Sequence, residues 1–356
     1  MLIKELTDLN GVSGNEKEVR DFIKDKINNF CDTIKIDSIG NIIAYKKGIN
    51  SKFKVMLSAH MDEVGFIVSG HTDKGFLKFK PVGGIDDRIL PGKRVLVGKK
   101  RLCGVIGSKP IHQQEKDERE KISKVKNLYI DIGAESKDEA EKLAPLGEFI
   151  SFDSEFIEFG KNSIKAKALD DRVGCAVLIE ALKNSFEFDL YACFTVQEEV
   201  GLRGAQVAAY NVMPDVALVI EGTTCADVPN VEPYEYSTIQ GNGAALTIMD
   251  RTCICDKELV QFLHDVAVKN NIKVQYKQTT SGGNDSGQIQ RTGTGVKTAS
   301  ISVPCRYIHS PVSVMSRSDY ESVERLTIAA LNQMSKNKDF LKSLSKLTSG
   351  KEQLTK

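Results

Sequence analysis

The stretch IKAKALDDRVGCAVLIEALK, residues 164–183, changes character half-way along. Its first part has the pattern of a β-strand, and the part after the two aspartates, Asp170 and Asp171, has the pattern of an amphipathic helix. A strand that leads directly into a helix is the repeating unit of proteins in which strands and helices alternate. This stretch therefore indicates an α/β fold.

Other apolar runs also end in residues that can take part in chemistry. They are KVMLSA (54–59) before His60, LYACFTV (190–196) before Glu198 and Glu199, DVALVI (215–220) before Glu221, and KTASISV (297–303) before the loop that carries His309. Strands that alternate with helices build sheets that bind ligands at the carboxyl ends of their strands. We therefore predict a mixed, largely parallel sheet sandwiched by helices, with these residues along one edge.

Helices are also predicted near both ends of the chain. Ser13 and Glu16 have the spacing of a capping box, and apolar residues recur at helical spacing from Val19 to Ile27. The other elements predicted here are short strands at 33–37 and 41–45 and a long helix at 318–334, followed by a lysine-rich, solvated tail.

The pattern changes again between residues 70 and 162. Short apolar pieces alternate with glycines there, and the charged stretch QQEKDEREKISKVK (113–126) interrupts them, which is typical of a small β-rich domain with a solvated loop. A chain of 356 residues is also too long for one ordinary core. We predict a catalytic domain of residues 1–69 and 163–356 and an inserted, β-barrel-like domain of residues 70–162.

The composition excludes several kinds of partner. The chain has 49 basic and 48 acidic residues, a balance that favours neither nucleic acid nor an anionic membrane as partner. The N-terminus lacks the basic start and apolar core of a signal peptide, and no apolar run approaches membrane-spanning length, so we predict a cytoplasmic location. The eight scattered cysteines are interpreted as reduced thiols, most of them buried.

Five residues at the predicted sheet edge are candidate metal ligands: His60, Asp170, Glu199, Glu221 and His309. Two imidazoles and three carboxylates, one of them shared, are enough to hold a pair of divalent ions. Paired metal ions are typical of hydrolases, because they activate water and polarise the bond that is cleaved. The sequence thus predicts a hydrolytic site with two metal ions.

Two neighbouring residues can assist such a site. Asp62 follows His60 by two positions and can hold its imidazole in one tautomer. Glu198 precedes Glu199, and because adjacent side chains diverge, one of them can bind metal while the other faces the reacting water. The isolated histidines are interpreted as ordinary hydrogen-bonded or exposed side chains: His71, His112 and His264.

The segments HMDEVG, KALDDRVG, VQEEVG, EGTT and YIHSP, in this order, resemble the M42 family of metallo-aminopeptidases. This family includes glutamyl and deblocking aminopeptidases and proteins once labelled endoglucanases. The resemblance covers nearly the whole chain, since VGGIDDRILPGKRV and GVIGSKPIH resemble segments of the family's inserted domain. The chain is therefore expected to release N-terminal residues from short peptides.

The resemblance implies a role for each candidate residue. Asp170 would bridge two divalent ions, most readily zinc or cobalt, with manganese also suited to the ligands; His60 and Glu221 would complete one metal site, and Glu199 and His309 the other. Glu198 would be the general base that takes a proton from the attacking water, and Asp62 would orient His60. The resemblance also implies a cis peptide bond between Asp170 and Asp171 and a hollow dodecamer built through the inserted domain.

Several alternatives stay open at this point. Many family members have aspartate where this chain has Glu221, so the N-terminal residue it prefers, acidic or neutral aliphatic, does not follow from the resemblance. A related di-metal amidase, deacylase or dipeptidase is the closest competing function. A glycosidase needs facing carboxylates, which Glu198 and Glu199 do not offer, and a non-catalytic scaffold would leave the ligand set unexplained. The loop SGGNDSGQIQ (281–290) resembles a segment that closes over substrate but also suits a plain turn.

Overall fold

The computed structural model describes residues 1–50, 53–337, 340–341 and 343–344. Most of the lysine-rich tail predicted after residue 334 lies outside the described residues. No helix within the described ranges is both long and apolar enough to cross a membrane.

The described residues form strands and helices that alternate mainly in the second half of the chain. The strands are β1 (Thr33–Ile36), β2 (Ile42–Lys46), β3 (Lys54–His60), β4 (Gly65–His71), β5 (Leu77–Val82), β6 (Arg94–Val97), β7 (Leu102–Gly107), β8 (Tyr129–Asp131), β9 (Phe149–Phe152), β10 (Ile157–Phe159), β11 (Ser163–Ala166), β12 (Asp189–Thr195), β13 (Val216–Thr224), β14 (Ala244–Leu246), β15 (Val274–Tyr276), β16 (Lys297–Arg306) and β17 (Ser313–Ser316). The helices are α1 (Leu2–Thr7), α2 (Lys17–Ile27), α3 (Lys116–Arg119), α4 (Lys137–Leu143), α5 (Leu169–Leu182), α6 (Arg203–Val212), α7 (Lys257–Lys269), α8 (Ser286–Ile289) and α9 (Arg317–Lys336).

The large sheet has the order β1-β2-β12-β3-β13-β16-β17-β11-β10, with β14 and β15 attached beside β16. Its four central strands, β12, β3, β13 and β16, are parallel, whereas the strands at both margins pair antiparallel. The predicted α/β fold with a mixed sheet is therefore confirmed. Its parallel part is the centre that carries most of the candidate site.

Helices cover both faces of this sheet because side chains of a buried strand alternate between the faces. On β3, Val55 and Leu57 join the apolar core beneath α1, α2, α5 and α9, whereas Met56 joins a second core beneath α6 and α8. Burial on both sides explains why the central strands are continuous apolar runs in the sequence.

A closed antiparallel barrel, β4-β5-β8-β7-β6-β9, stands apart from the large sheet. It has its own apolar core, in which the ring of Phe66 packs edge-on against Phe79 and Phe152 with centroids 5.1 and 5.2 Å apart. The barrel strands lie between Gly65 and Phe152, and β10 and β11 that follow belong to the large sheet. The predicted β-rich insertion is thus a barrel, while its domain limits at residues 70 and 162 stay a prediction.

The predicted capping box at the start of α2 is wrong. The helix begins at Lys17, and no side chain caps it. The Ser13 hydroxyl instead donates to Asp62 Oδ2 at 2.6 Å, and the Glu16 carboxylate accepts from the Gly14 and Gln197 N–H groups at 2.6 and 3.3 Å. Both side chains are used for contacts with the loops at the sheet edge, which the local spacing cannot reveal.

The cysteines are all free thiols. Six are buried, Cys31 is half-buried and Cys103 is exposed. They pack as small apolar side chains, in agreement with the interpretation of reduced thiols.

Candidate active site

The parallel strands bring two of the candidate segments side by side. His60 is the last residue of β3, and its register partner on the neighbouring strand is Thr195, the last residue of β12. Glu198 and Glu199 follow in the loop after β12, and His309 follows β16. These residues lie at the carboxyl edge of the parallel strands, where such sheets bind ligands.

Glu221 and Asp170 reach the site differently from the prediction. Glu221 lies inside β13, which continues to Thr224 because it pairs with β16 over its whole length. Asp170 belongs to the irregular first turn of α5 and is joined to Asp171 by a cis peptide bond, as the resemblance implied. A Cβ atom at Gly222 would lie 2.9 Å from the Asp170 Cβ, so glycine lets the start of this helix approach the strand.

The carboxylate of Asp170 lies between two imidazoles. Its Oδ1 is 3.3 Å from Nε2 of His60, and its Oδ2 is 3.4 Å from Nε2 of His309. Glu221 Oε2 lies 3.7 Å from Nε2 of His60, and Glu199 Oε2 lies 3.3 Å from Nε2 of His309. The five side chains therefore form two groups that share Asp170.

Asp171 also lies at this centre, although it is not among the residues singled out from the sequence. Ligand atoms of His60, Asp171 and Glu221 lie within 4.8 Å of one another. The Asp171 oxygens accept hydrogen bonds from the backbone N–H groups of His60 at 3.2 Å and Gly174 at 3.0 Å. The bond from His60 holds the end of β3 against α5, and each Asp171 oxygen keeps a further lone pair.

Asp62 connects the end of β3 with the loop after β12. Its Oδ1 and Oδ2 accept hydrogen bonds from the backbone N–H groups of Glu198 and Glu199, at 3.0 and 3.2 Å. His60 Nδ1 lies 3.1 Å from the Asp62 carbonyl oxygen and 3.4 Å from its Oδ1. Asp62 therefore contacts both an imidazole and the backbone of the two glutamates.

The barrel also contributes to the site. His309 Nδ1 lies 2.9 Å from the carbonyl oxygen of Gly84, in the segment after β5. His309 itself has a left-handed backbone conformation, with φ of 57°, and is the most exposed of the candidate ligands. The imidazole is therefore held by a contact from the insertion, 225 positions away in the chain.

Burial dominates the electrostatics of the carboxylates. Because burial disfavours the charged form, the pKa values of Glu198 and Glu221 lie well above their usual range. Burial also raises the pKa of Glu199 to about 7, although His309 opposes this. Asp170 is the exception: burial acts on it in the same direction, but hydrogen bonds from the two imidazoles hold its pKa below the usual value.

The imidazoles show the opposite effect. Burial alone would lower the pKa of His60, but its bonds to Asp170 and Asp62 reverse this and raise the pKa well above the usual value. The pKa of His309 is raised to about 9, since Asp170 and Glu199 outweigh its burial.

One buried atom indicates that the residues fit a metal ion. Within the described part of the chain, Glu221 Oε1 is buried and has no hydrogen-bond partner. A buried carboxylate oxygen without a partner is costly, whereas a cation beside it, either a metal ion or an ammonium group, would satisfy it. Imidazole nitrogens and carboxylate oxygens at these separations are the donors that zinc and similar divalent ions use.

A cavity of about 430 Å³ opens over this centre. Asp170, Glu198, Glu199, Glu221 and His309 line one part of it, and residues 281–284 of the glycine-rich loop line another. This loop is not part of the predicted site, because its sequence also suits a plain turn. Asp285 anchors it: the buried carboxylate accepts a hydrogen bond from the Thr195 hydroxyl at 2.5 Å.

The histidines interpreted as ordinary side chains lie in other places. His71 Nε2 contacts the Ala144 carbonyl oxygen at 2.7 Å in the barrel, and the ring of His264 stacks on Tyr276. His112 is exposed in the charged stretch of the insertion. None of these three belongs to a potential metal-binding group among the described residues.

The mixed sheet, the inserted barrel and the imidazole–carboxylate centre at the sheet edge define an enzyme of the α/β class built for hydrolysis. Residues 40–326 match the model of the M42 glutamyl aminopeptidase family, and residues 1–22 match a second model, AMPT. The chain belongs to the M42 family and is an aminopeptidase, which confirms the resemblance seen in its motifs.

Similar proteins span almost the whole chain. The lysyl aminopeptidase of Pyrococcus furiosus is 34% identical over 94% of this chain and 96% of its own length. The solved structure of an aminopeptidase from the archaeon Desulfurococcus kamchatkensis is 38% identical, with a TM-score of 0.91 and coverage of 96% of both chains. The TET1 peptidase of Pyrococcus horikoshii, which assembles into a tetrahedron or a large octahedral shell, is 36% identical, with a TM-score of 0.84 over 93% of this chain and 98% of its own.

Proposed function

We propose that this aminopeptidase holds two divalent ions and releases N-terminal residues from short peptides, with Glu198 as general base. The observation that carries the proposal is the position of Asp170, whose two carboxylate oxygens each face one imidazole at 3.3 and 3.4 Å. A carboxylate with one oxygen directed to each side is suited to bridging a pair of ions.

The two groups around Asp170 would each hold one ion. His60 and Glu221 would bind on one side, and Glu199 and His309 on the other. Divalent ions bound there supply a water of lowered pKa and polarise the carbonyl of the peptide bond. Zinc and cobalt suit these donors best, and manganese is also compatible with them.

Glu198 differs from the proposed ligands in its contacts. Within the described residues it makes no ion pair with either imidazole, whereas Glu199 and Glu221 each lie within 4.0 Å of one. Its carboxylate lines the cavity, and its backbone N–H is held by Asp62. Because burial raises its pKa, Glu198 binds a proton readily. It would take the proton of the attacking water and deliver it to the departing amine.

Glu221 offers a reason for a free N-terminus. Its Oε2 faces His60, while its Oε1 has no partner in the described part of the chain. The α-ammonium of a peptide is a strong donor that can bind a carboxylate oxygen. We infer that this contact positions the substrate and excludes N-acylated peptides. The competing amidase or deacylase function requires the opposite preference.

We also propose that the chain assembles with copies of itself into a shell. The support is its similarity over most of its length to the Pyrococcus horikoshii peptidase that forms such shells. The inserted barrel, which we predict to serve oligomerisation and substrate access, would provide the contacts. Size-exclusion chromatography with light scattering measures the mass directly. A metal-loaded protein with the mass of one subunit at micromolar concentration would contradict the shell.

The proposed reaction is tested with metal-stripped protein. Free amino acids released from short peptides are measured before and after addition of zinc, cobalt or manganese, together with N-acetylated forms of the same peptides. We expect metal-dependent release of single N-terminal residues from the free peptides alone. Cleavage of the acetylated peptides, or equal activity with and without metal, would refute the proposal. The cytoplasmic location stays a prediction from the sequence.

A further inference from the structure

The cavity over the candidate metal centre has an uneven distribution of charge. The carboxylates of Asp170, Glu198, Glu199 and Glu221 line the part that faces the proposed ions. Among the described residues that line the cavity, Lys277 is the only lysine or arginine. Nothing in the proposed mechanism uses this residue, so its position needs a separate explanation.

Lys277 is held in place and its charge is unpaired. It directly follows β15, and its backbone N–H donates to the Leu246 carbonyl oxygen at 2.9 Å, which fixes it beside β14. Its Nζ donates to the Ser281 carbonyl oxygen at 3.3 Å. No carboxylate in the described part of the chain forms an ion pair with it. An ammonium with only one neutral partner can still bind an anion.

Lys277 lies in a different wall of the cavity from Glu221. From Glu221 the wall follows β13 through Gly222 and Thr223 to Thr224. These three steps along a strand cover about 10 Å. Beyond Thr224 the cavity is lined by a second segment. This segment is attached to the end of β13, because the Thr238 hydroxyl donates to the Thr224 carbonyl oxygen at 2.9 Å.

That second segment adjoins Lys277. Ser237, which also lines the cavity, accepts a hydrogen bond from the backbone N–H of Gln278 at 2.9 Å, and its hydroxyl lies 2.8 Å from that of Thr279. The chain at Lys277 therefore lies in the part of the cavity lining beyond the end of β13, and its Nζ contacts the Ser281 carbonyl oxygen of the glycine-rich loop. An extended dipeptide or tripeptide spans roughly 7–11 Å, about the length of β13 between Glu221 and Thr224.

We propose that Lys277 binds a carboxylate of the peptide substrate while the substrate's amine lies at the acidic end of the cavity. This assignment rests on the proposed function of the site. An ammonium and a carboxylate form a charge-assisted hydrogen bond, and a zwitterionic ligand would be oriented by the opposite charges of the two ends. The carboxylate has two chemical sources: the side chain of an N-terminal aspartate or glutamate, or the C-terminus of a dipeptide or tripeptide.

Two substrate pairs separate these sources. The first pair is L-glutamyl-p-nitroanilide and L-glutaminyl-p-nitroanilide, which differ in a side-chain carboxylate. The second pair is leucyl-glycine and leucyl-glycinamide, which differ in a C-terminal carboxylate. Lys277→Met removes the ammonium and keeps most of the stem, while Lys277→Arg keeps the charge. Lys273→Met is the matched control, because Lys273 is exposed and donates only to the Gly241 carbonyl oxygen, at 3.4 Å, in the described part of the chain.

We expect wild type to prefer the carboxylate member of one pair by about tenfold or more in kcat/KM, the usual effect of one hydrogen bond to a charged group. Lys277→Met is expected to bring that ratio close to one by raising KM, Lys277→Arg to restore part of it, and Lys273→Met to keep it. Loss of the glutamyl preference identifies the side chain as the source, and loss of the leucyl-glycine preference identifies the C-terminus.

The assignment of Lys277 is overturned if the wild-type enzyme prefers neither carboxylate substrate, or if its preference survives in Lys277→Met. Either result leaves the aminopeptidase reaction intact. If wild type cleaves none of the four compounds with any metal, the proposed reaction fails instead. The same four compounds are then titrated as ligands by calorimetry. Tighter binding of a carboxylate member that Lys277→Met abolishes supports Lys277, and equal binding within both pairs overturns it.

Discussion

The carboxylate of Asp62 accepts a hydrogen bond from the backbone N–H of Glu198, with 3.0 Å between Oδ1 and the nitrogen. The two residues are 136 positions apart in the chain, and the bond joins the end of β3 to the loop after β12. The proposed base is thus held through its backbone, while the residue lines the cavity.

We expect Asp62→Asn to lower both stability and turnover. The amide has one acceptor oxygen in place of two, and its NH₂ group would face the donors now bound by Asp62 in the buried site. The lost bonds should cost about 1–3 kcal/mol in the free energy of unfolding. Urea denaturation and kcat are the measurements, with the exposed Asp86→Asn as control. Wild-type kcat in Asp62→Asn would contradict the orienting role.

Glu198→Gln tests the base directly. The amide has nearly the same shape but cannot accept the proton of water, so we expect kcat to fall by about 10²–10⁴-fold. Because Glu198 is not a proposed ligand, the metal content measured by mass spectrometry should equal that of wild type. Glu199→Gln is the matched comparison, and it should lose metal as well as activity. A Glu198→Gln enzyme with wild-type kcat would assign the base to another group.

The metal-free protein should become less stable as pH rises from about 5 to 9. Burial raises the pKa of Glu199 from 4.5 to about 7, so the folded state binds more protons than the unfolded state between these values. Stability then falls with increasing pH, by about 3 kcal/mol for this group. The raised pKa of His309, about 9, acts in the same direction, because its stabilising charge is lost as pH rises through that value.

Thermal unfolding of the chelator-treated protein across this pH range measures the effect. Addition of zinc should raise the melting temperature most at the alkaline end, since the carboxylates are then already deprotonated for binding. A metal-free protein whose melting temperature rises from pH 5 to 9 would contradict the described electrostatics.

A buried ion pair next to the site should be important for stability. Lys167 Nζ donates to Glu63 at 2.7 and 2.9 Å and to the Leu9 carbonyl oxygen at 2.6 Å, and both charged side chains are almost fully buried. In Lys167→Met, Glu63 loses this partner. Among the charged groups of the described residues it then keeps only Arg172, whose Nη2 lies 3.4 Å from Glu63 Oε1. We expect a loss of about 3–5 kcal/mol in the free energy of unfolding.

The matched control for this prediction is Lys17→Met. Lys17 pairs with Asp21 on the exposed surface of α2, where an ion pair contributes about 0–1 kcal/mol. Urea unfolding of both variants gives the comparison. Equal, small losses in the two variants would mean that the buried pair is replaceable by an apolar side chain without cost.

The sequence predicted the elements whose patterns are local and strong. The apolar runs at 54–59, 190–196, 215–220 and 297–303 all became central strands, since burial on both faces demands continuous apolar residues. It was wrong where a side chain has a distant partner. Ser13 has the spacing of a helix cap but donates to Asp62, and Glu221, expected at the end of a strand, lies within β13 because β16 extends the pairing.

The sequence by itself determined the chemical groups of the site, because imidazoles and carboxylates after apolar strands indicate a metal-binding sheet edge whatever the details of packing. Only the tertiary structure decided how they combine: that Asp170 lies between His60 and His309, and that Lys277 lines the same cavity as Glu198. The reason is physical. These contacts join residues far apart in the chain, and their distances are set by strand register and helix packing rather than by sequence spacing.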